Sequence, residues 1–368
     1  MKKDIGKYLT VAVFLIVLAA FFVLNRLVVT PAIIESERRP ASSFPELNVK
    51  NIMDTSFMNG FDSWAQDSFF SREPLRTIRA FTVFHVFFQS DKEGLYIGDA
   101  GVGSFTSIDE ASWIQSMAKI NKMAKELEDL HLYAAVIPDK SIYAGRYFPG
   151  FDAETAKSIT SDELSPTVNV IDLTESLSSE DFYRTDLHWN QPQTESVMDI
   201  LAEAMNFELQ SNPWKVLSVG TFKGVYAGQI ALPVKADTMS YVTNPYIDTA
   251  SSFYLDPATQ AMLPGKIYYP EKLTGGDPYD FFLNGPQAII TLESSEKKTG
   301  RTLYLFRDSF GSSLAPLFLG AYDKVVLIDL RYIDSRILPE FVEFEANSDV
   351  LFLYSSQILN NPTTLLIN

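Results

Sequence analysis

The sequence predicts an α/β fold in which helices cover a mostly parallel sheet, with a β-rich insertion and an N-terminal transmembrane helix. Three observations support this prediction. Five nearly continuous apolar runs have the composition of strands buried on both faces of a parallel sheet. Helical patterns separate several of these runs, as α/β alternation requires. An uncharged apolar stretch near the N-terminus is long enough to span a membrane.

The first predicted element is an apolar helix over residues 8–25, which read YLTVAVFLIVLAAFFVLN. At 1.5 Å per residue it would extend about 27 Å, close to the roughly 30 Å of a bilayer core. Lys2, Lys3 and Lys7 precede it, and the bulky residues near its end make a poor signal-peptidase site. We therefore expect residues 1–30 to be an uncleaved, single-pass anchor in the cell membrane, with the main domain extracytoplasmic. Residues 31–50, rich in Pro, Ser and charge, are expected to form a stalk.

The domain predicted over residues 51–368 begins with two short helices between residues 54 and 88. Ser107 and Glu110 predict a capping box for the next helix, whose apolar stripe is expected to pack in the core: Trp113, Met117, Ile120, Ala124 and Leu127. The predicted strands cover residues 132–138, 168–172, 302–306, 324–329 and 349–354, and a further helix covers residues 191–206. Residues 207–300 carry short alternating runs among Gly and Pro, which predict the β-rich insertion.

Composition excludes several classes of function. The 368 residues are 46% hydrophobic, which is enough for a sizeable core, and 30 Lys and Arg stand against 46 Asp and Glu. An excess of acid without basic clusters argues against nucleic-acid binding. The absence of cysteine excludes a thiol nucleophile and Cys-ligated metal, and three scattered histidines without HExxH spacing disfavour a metal hydrolase. We therefore expect no metal and no cofactor.

Two motifs carry candidate chemistry. In YRTDLHWN, residues 183–190, Asp186 and His188 lie two positions apart, so in extended backbone the carboxylate would project beside the imidazole and orient it. Taken alone, this spacing favours a structural histidine. In LYLFRDSFGSSLAPLFLG, residues 303–320, an apolar strand runs through Asp308 and Ser309 into an apolar helix. Such a serine lies at the carboxyl edge of a parallel sheet, although it could simply cap the helix. Together the motifs supply a nucleophile, a base and an orienting carboxylate for acyl transfer.

The order Asp-x-His-Trp, then a strand-terminal Asp-Ser-Phe, resembles the DHHW proteins of Gram-positive bacteria and the related alginate O-acetyltransferases, which are SGNH-hydrolase-like. Other segments are similar to family segments: GFDSWAQDSFFSREPLR with its Phe61, Asp67 and Arg72, and IPDKSIYAGRYFP, FKGVYAG and LIDLRYID. Arg307 departs from the pattern, because ordinary SGNH hydrolases have glycine at this position. No Gly-x-Asn-Asp block provides the usual oxyanion-hole asparagine.

The resemblance implies a three-layer fold with Ser309 as nucleophile, His188 as general base, Asp186 as its orienting carboxylate and the Ser309 N–H as one oxyanion donor. It also makes several residues near strand ends or beside the dyad candidates for substrate binding: Asp139, Lys140, Tyr143, Tyr183, Trp189 and Arg331. Surface, turn or core roles are the alternative for each of these residues.

The resemblance favours a membrane-anchored, extracytoplasmic O-acyltransferase that transfers an acyl group, expected to be acetyl, to a cell-surface polysaccharide through an acyl-serine intermediate. The resemblance also implies a candidate partner, a multispanning membrane acyltransferase that delivers the acyl group. Two alternatives stay open: a carbohydrate esterase or deacetylase with the same triad, and a non-catalytic surface-binding or scaffold protein that retains the fold. The net charge of −16 disfavours anionic polymers as direct partners and fits a neutral glycan better.

Overall fold

The computed structural model describes residues 2–27, 31–144, 151–209, 214–295 and 299–368. The chain divides into two compact units, one formed by residues 1–92 with 228–233 and the other by residues 93–227 with 234–368. Neither unit begins at residue 30 or at residue 50. The division into an anchor over residues 1–30 and a stalk over residues 31–50 stays a prediction.

The first unit begins with the predicted apolar helix, α1 (Lys2–Leu27). Within it, Gly6–Asn25 is long and apolar enough to cross a membrane by length and composition. The short antiparallel pair β1 (Ile33–Ile34) and β2 (Arg39–Pro40) follows, then α2 (Val49–Met53), α3 (Ser56–Asp67), α4 (Arg72–Phe81), a π-helical turn (Thr82–Val86) and β3 (Asp91–Lys92). Arg39 lies within the predicted stalk and forms two hydrogen bonds, of 2.7 and 2.6 Å, to the buried Asp67 carboxylate.

The second unit contains an eight-stranded sheet. Its strands, in spatial order, are β11 (Met262–Gly265), β10 (Ser251–Leu255), β12 (Ile289–Glu293), β14 (Lys324–Ile328), β13 (Thr302–Arg307), β15 (Asp349–Ser355), β6 (His131–Ile137) and β7 (Val168–Asp172). The five strands predicted from apolar runs are the contiguous parallel part, from β14 to β7. The central strands β13, β14 and β15 read as continuous apolar runs because both of their faces are buried.

The predicted insertion contributes to this same sheet. The strands β10, β11 and β12 fall within residues 207–300 and extend one edge of the parallel part in antiparallel pairing. The two remaining strands of the segment, β8 (Lys215–Phe222) and β9 (Asp237–Thr243), form a separate hairpin. Another hairpin consists of β4 (Leu95–Gly98) and β5 (Gly101–Ser104).

Helices on the two faces of the sheet give three layers. One face packs against α5 (Glu110–Glu126) and α6 (Ala153–Glu163). The other packs against α7 (Glu195–Ala204) and α10 (Phe310–Leu314). The remaining short helices are α8 (Val225–Ile230), α9 (Pro245–Thr249) and α11 (Ser356–Leu359), and 3-10 turns cover 140–143, 174–176, 179–181, 191–193, 270–274, 278–281, 315–318, 338–340 and 362–364.

The start of α5 corrects one prediction. The five residues of the predicted stripe are all buried, as expected. The cap is Asp109, whose carboxylate accepts the N–H of Ser112, rather than a box between Ser107 and Glu110. Since Glu110 is already the first helical residue, Ser107 lies too far upstream to reach the free N–H groups of the first turn.

Candidate active site

Ser309 lies in the predicted turn between β13 and α10. Its side chain makes no capping hydrogen bond to the helix, so the interpretation of Ser309 as a simple cap is wrong. Its Oγ instead lies 2.8 Å from Nε2 of His188. The buried Asp308 holds the turn, because its two carboxylate oxygens accept the N–H groups of Phe310 and of Ser355 at the end of β15. The serine is thereby fixed at the carboxyl edge of the sheet.

His188 and Asp186 lie in a closed loop rather than in the extended backbone that the sequence predicted. Phe182 and Trp189 pair as an antiparallel bridge, and the N–H of Tyr183 donates to the carbonyl of His188. The bend still brings Asp186 Oδ1 to 2.6 Å from His188 Nδ1, and both side chains are buried. A closed loop is more rigid than an extended segment, so the tertiary arrangement holds the pair more firmly than the sequence spacing alone could.

The backbone around Asp186 keeps its carboxylate in place. Oδ1 also accepts the N–H of His188, and Oδ2 accepts the N–H of Val225 at 3.0 Å. Gly224 permits this approach, because a Cβ there would lie 2.3 Å from the Thr185 carbonyl oxygen and 2.4 Å from the Asp186 Cβ. These donors favour the ionised carboxylate. An ionised Asp186 places the proton on Nδ1 of His188 and leaves Nε2 to accept from the Ser309 hydroxyl.

An aromatic ring that the sequence analysis missed lies on the imidazole. Tyr279, in the turn at residues 278–281, stacks on His188 with ring centroids 3.7 Å apart and planes 6° from parallel. Its hydroxyl donates to Ser313 Oγ at 2.7 Å, and burial raises the pKa of Tyr279 well above its usual value, so the phenol is neutral. In the sequence, Tyr279 belongs to the aromatic run DPYDFF, residues 277–282, which predicts buried rings but not which side chain they contact.

Lys140 and Asp139 were predicted as substrate contacts, and both side chains are buried and bonded within the protein. The Lys140 ammonium is buried and donates to the carbonyls of Val102, Tyr183 and Asp186, at 2.9, 2.6 and 3.4 Å. These bonds connect Lys140 to β5 and to the closed loop that contains His188. Burial lowers the pKa of Lys140 to about 8. The buried Asp139 caps the turn at residues 140–143 and accepts the Thr106 hydroxyl, while burial raises the pKa of its carboxyl.

The remaining predicted contacts are also occupied within the protein. Tyr143 donates to the Thr174 carbonyl, Tyr183 is buried with its hydroxyl on the Met239 sulfur, and Trp189 is buried with its N–H on Ser313 Oγ. The side chains of Tyr183 and Trp189 therefore contribute to the packing around the loop. Arg331 binds the Asp329 carboxylate through Nε and Nη2, at 2.8 and 2.7 Å, and keeps a partly exposed side chain. Arg331 thus stays a prediction.

The turn around Ser309 offers one oxyanion donor. The N–H groups of Phe310 and Gly311 donate to Asp308, whereas within the described part of the chain the Ser309 N–H has no acceptor. Arg307 is buried, and burial lowers its pKa; its Nη1 lies 3.4 Å from Asp329 Oδ2. A Cβ on Gly311 would lie 2.6 Å from the Arg307 Cβ, so glycine near the start of α10 leaves room for the Arg307 side chain.

The site therefore brings together Asp186, His188 and Ser309 in one hydrogen-bonded chain. Such a chain can move a proton from a serine hydroxyl to an imidazole whose cationic form is stabilised by a buried carboxylate. In the described ranges, no cluster of His, Asp and Glu side chains has the arrangement of a metal site.

Comparison with known proteins identifies the same fold. No protein-family model matches the sequence, and no curated protein sequence matches it. A DHHW family protein from Eubacterium siraeum superposes with a TM-score of 0.60 and 19% identity, over 74% of this chain and 94% of that one. PatB1 from Bacillus cereus gives 0.58 and 16%, over 72% and 96%. The O-acetyltransferase domain of Pseudomonas putida AlgJ is a weaker match, with 0.41 and 16%, over 73% and 92%. The predicted resemblance and α/β fold class are confirmed at the level of the fold.

Proposed function

We propose that this protein is a membrane-anchored, extracytoplasmic O-acyltransferase that acetylates a cell-surface polysaccharide through an acyl-Ser309 intermediate. The observation that carries the proposal is the chain of contacts from Ser309 Oγ to His188 Nε2, 2.8 Å, and from His188 Nδ1 to Asp186 Oδ1, 2.6 Å. The acetyl group and the polysaccharide acceptor are taken from the resemblance of the two sequence motifs to those of the alginate O-acetyltransferases.

The first half of the reaction acylates the serine. Ser309 Oγ attacks the carbonyl carbon of the acyl donor while its proton passes to His188 Nε2, and Asp186 stabilises the resulting imidazolium. The tetrahedral oxyanion accepts the Ser309 N–H. When the intermediate collapses, the bond to the leaving group breaks and His188 returns its proton to that group.

The second half transfers the acyl group. A hydroxyl of the acceptor sugar attacks the ester carbonyl of acyl-Ser309, and His188 takes the hydroxyl proton. The acyl–Ser309 bond then breaks and the same proton returns to Ser309 Oγ. An esterase would use water at this step, so the two activities differ in which hydroxyl reaches the acyl-enzyme.

The proposed location, at the cell membrane with the main domain outside the cytoplasm, is based on α1. We propose that residues 1–30 anchor the chain, that residues 31–50 connect the anchor to the α/β domain, and that a multispanning membrane acyltransferase supplies the acyl group. The length and apolar composition of Gly6–Asn25 support the anchor. The acidic excess of the chain supports a neutral rather than an anionic glycan.

The test uses the full chain in detergent or nanodiscs with a chromogenic acetyl ester, with and without a neutral oligosaccharide. We expect turnover that Ser309→Ala and His188→Ala abolish and that Ser158→Ala, on the exposed face of α6, leaves unchanged. Faster acylation of the oligosaccharide than hydrolysis of the ester would support the transferase. Serine-dependent hydrolysis without transfer would assign an esterase, and absence of both turnover and serine labelling would favour the scaffold alternative.

A further inference from the structure

The outer face of α4 and its π-helical continuation is apolar and exposed to solvent. This face, which we call the apolar face, carries large hydrophobic side chains with exposed fractions from 39% to 83%. Its members are Leu75, Ile78, Phe81, Val86, Phe87 and Phe88. Soluble monomers rarely expose large apolar patches, and such patches mark sites of interaction with proteins or membranes.

Two arginines of the same helix face into the first unit, while Glu73 and Arg79 are exposed, so α4 departs from the usual arrangement of a surface helix. Arg72 and Arg76 both bind the Glu37 carboxylate, at 2.6 and 3.1 Å. Arg76 also donates to the Gly228 carbonyl at 3.0 Å. A surface helix in water directs its apolar side to the core and its charges outward. In α4, large apolar side chains face outward while Arg72 and Arg76 face inward.

Contacts with α1 place the start of α4 at one end of the apolar span. The N–H of Phe70 donates to Asn25 Oδ1 at 2.6 Å, and the Phe69 ring stacks on Phe21 at 5.8 Å. Asn25 is the last residue of the candidate membrane span, and α4 begins at Arg72. If the span crosses a bilayer, residues 69–72 lie at the level of the lipid headgroups.

We propose that the apolar face lies in the interfacial region of the bilayer that α1 crosses, so that α4 is a membrane-surface helix beside the anchor. The inference rests on the proposed anchoring of α1. Amphipathic helices bind in this plane by burying apolar side chains at the boundary between headgroups and acyl chains. The occupant is lipid, because the segment before α4 contacts the end of the span through Phe70 and Asn25 and every member of the apolar face is hydrophobic. A surface helix of this kind would limit how far the attached chain can tilt or retreat from the membrane.

The absence of cysteine in this chain allows a direct test with single labels. Ile78→Cys and Phe87→Cys report the apolar face, Val17→Cys reports the interior of α1, and Lys122→Cys on α5 is a water-exposed control. Each full-length variant carries an environment-sensitive fluorophore in proteoliposomes that contain this chain, phosphatidylcholine and phosphatidylglycerol, with and without nitroxide-labelled lipid. With nitroxides near the lipid headgroups, we expect quenching at residues 78 and 87 to be several-fold stronger than at residue 122. With nitroxides deep in the acyl chains, we expect quenching at residue 17. Adding Ile78→Asp and Phe81→Asp to the label at residue 87 should remove most of its quenching.

Three results would overturn the inference. The surface helix would be refuted, and the anchor left intact, if residue 17 were quenched while residues 78 and 87 were as accessible to water as residue 122. Protection confined to native membranes would assign the face to a membrane protein instead of lipid. An unquenched residue 17 would remove the anchor and the inference with it. Serine-dependent ester turnover is measured independently of all three, so a failure of the catalytic proposal is distinguishable.

Discussion

Replacing Asp186 by asparagine preserves the shape of the side chain and tests the catalytic geometry directly. In the wild type, one carboxylate oxygen accepts from His188 Nδ1 and the other from the Val225 N–H. An asparagine has one oxygen and one NH2 group for the same two positions. With the oxygen toward His188, the NH2 group would face the Val225 N–H, and two donors would meet at about the 3.0 Å of the present contact.

The opposite orientation replaces this conflict with another, because the NH2 group then faces the His188 N–H, which donates to Oδ1 at 3.2 Å in the wild type. With the oxygen on Val225, the NH2 group donates to Nδ1, and the proton of His188 moves to Nε2, which can then no longer accept from Ser309. Each orientation thus leaves one buried N–H without an acceptor, which costs about 1–3 kcal/mol, and neither supplies the negative charge that stabilises an imidazolium. We expect Asp186→Asn to fold but to lose about 10⁴-fold in kcat, which corresponds to about 5 kcal/mol of transition-state stabilisation.

The assay is turnover of the acetyl ester by full-length chains, with thermal unfolding to verify the fold. Asp129→Asn changes an exposed aspartate in the same way and should leave turnover unchanged. The assigned roles of Asp186 and His188 are wrong if the Asp186→Asn variant has the same unfolding midpoint as the wild type and keeps its turnover within tenfold of the wild-type value.

Three further predictions concern the residues that hold the loop. Gly224→Ala should destabilise the fold by about 1–3 kcal/mol and lower turnover, because its Cβ has no room, whereas Gly276→Ala, with open space around it, should do neither. Tyr279→Leu should lower turnover through loss of the ring stacked on His188, while Tyr279→Phe should keep most of it; equal turnover in both variants would exclude a positioning role. Lys140 titrates near pH 8 in the folded chain and at about 10.4 when unfolded, so the unfolded chain binds more protons in between. The stability contributed by this residue should therefore rise from pH 8 to about 10.4, and urea titrations of Lys140→Met should lack that rise.

Much of the fold could be predicted from local pattern. The five parallel strands were found within a residue or two, because the central ones are buried on both faces and read as continuous apolar runs. Capping and long-range pairing were harder to predict. Asp109 rather than Ser107 caps α5, and β10, β11 and β12 join the main sheet, because such choices depend on competing partners far along the chain.

The candidate site shows the same division. Residue type and spacing identified Asp186, His188 and Ser309, since acyl transfer needs that combination and the chain has few histidines to supply it. Sequence could not distinguish a lysine that contacts substrate from one that holds a loop. Only the structure shows that the Lys140 ammonium is bonded to three carbonyls, one from β5 and two from the loop around His188.

The sequence by itself determined the fold class, the apolar span and the chemical types of the three central side chains, because these depend on composition and on spacing along the chain. Only the tertiary structure decided that Tyr279 covers the imidazole, that Val225 and Gly224 hold Asp186, and that α4 faces outward with its apolar side. Each of these features depends on distances between segments remote in sequence, and burial and hydrogen-bond competition set such distances across the whole fold.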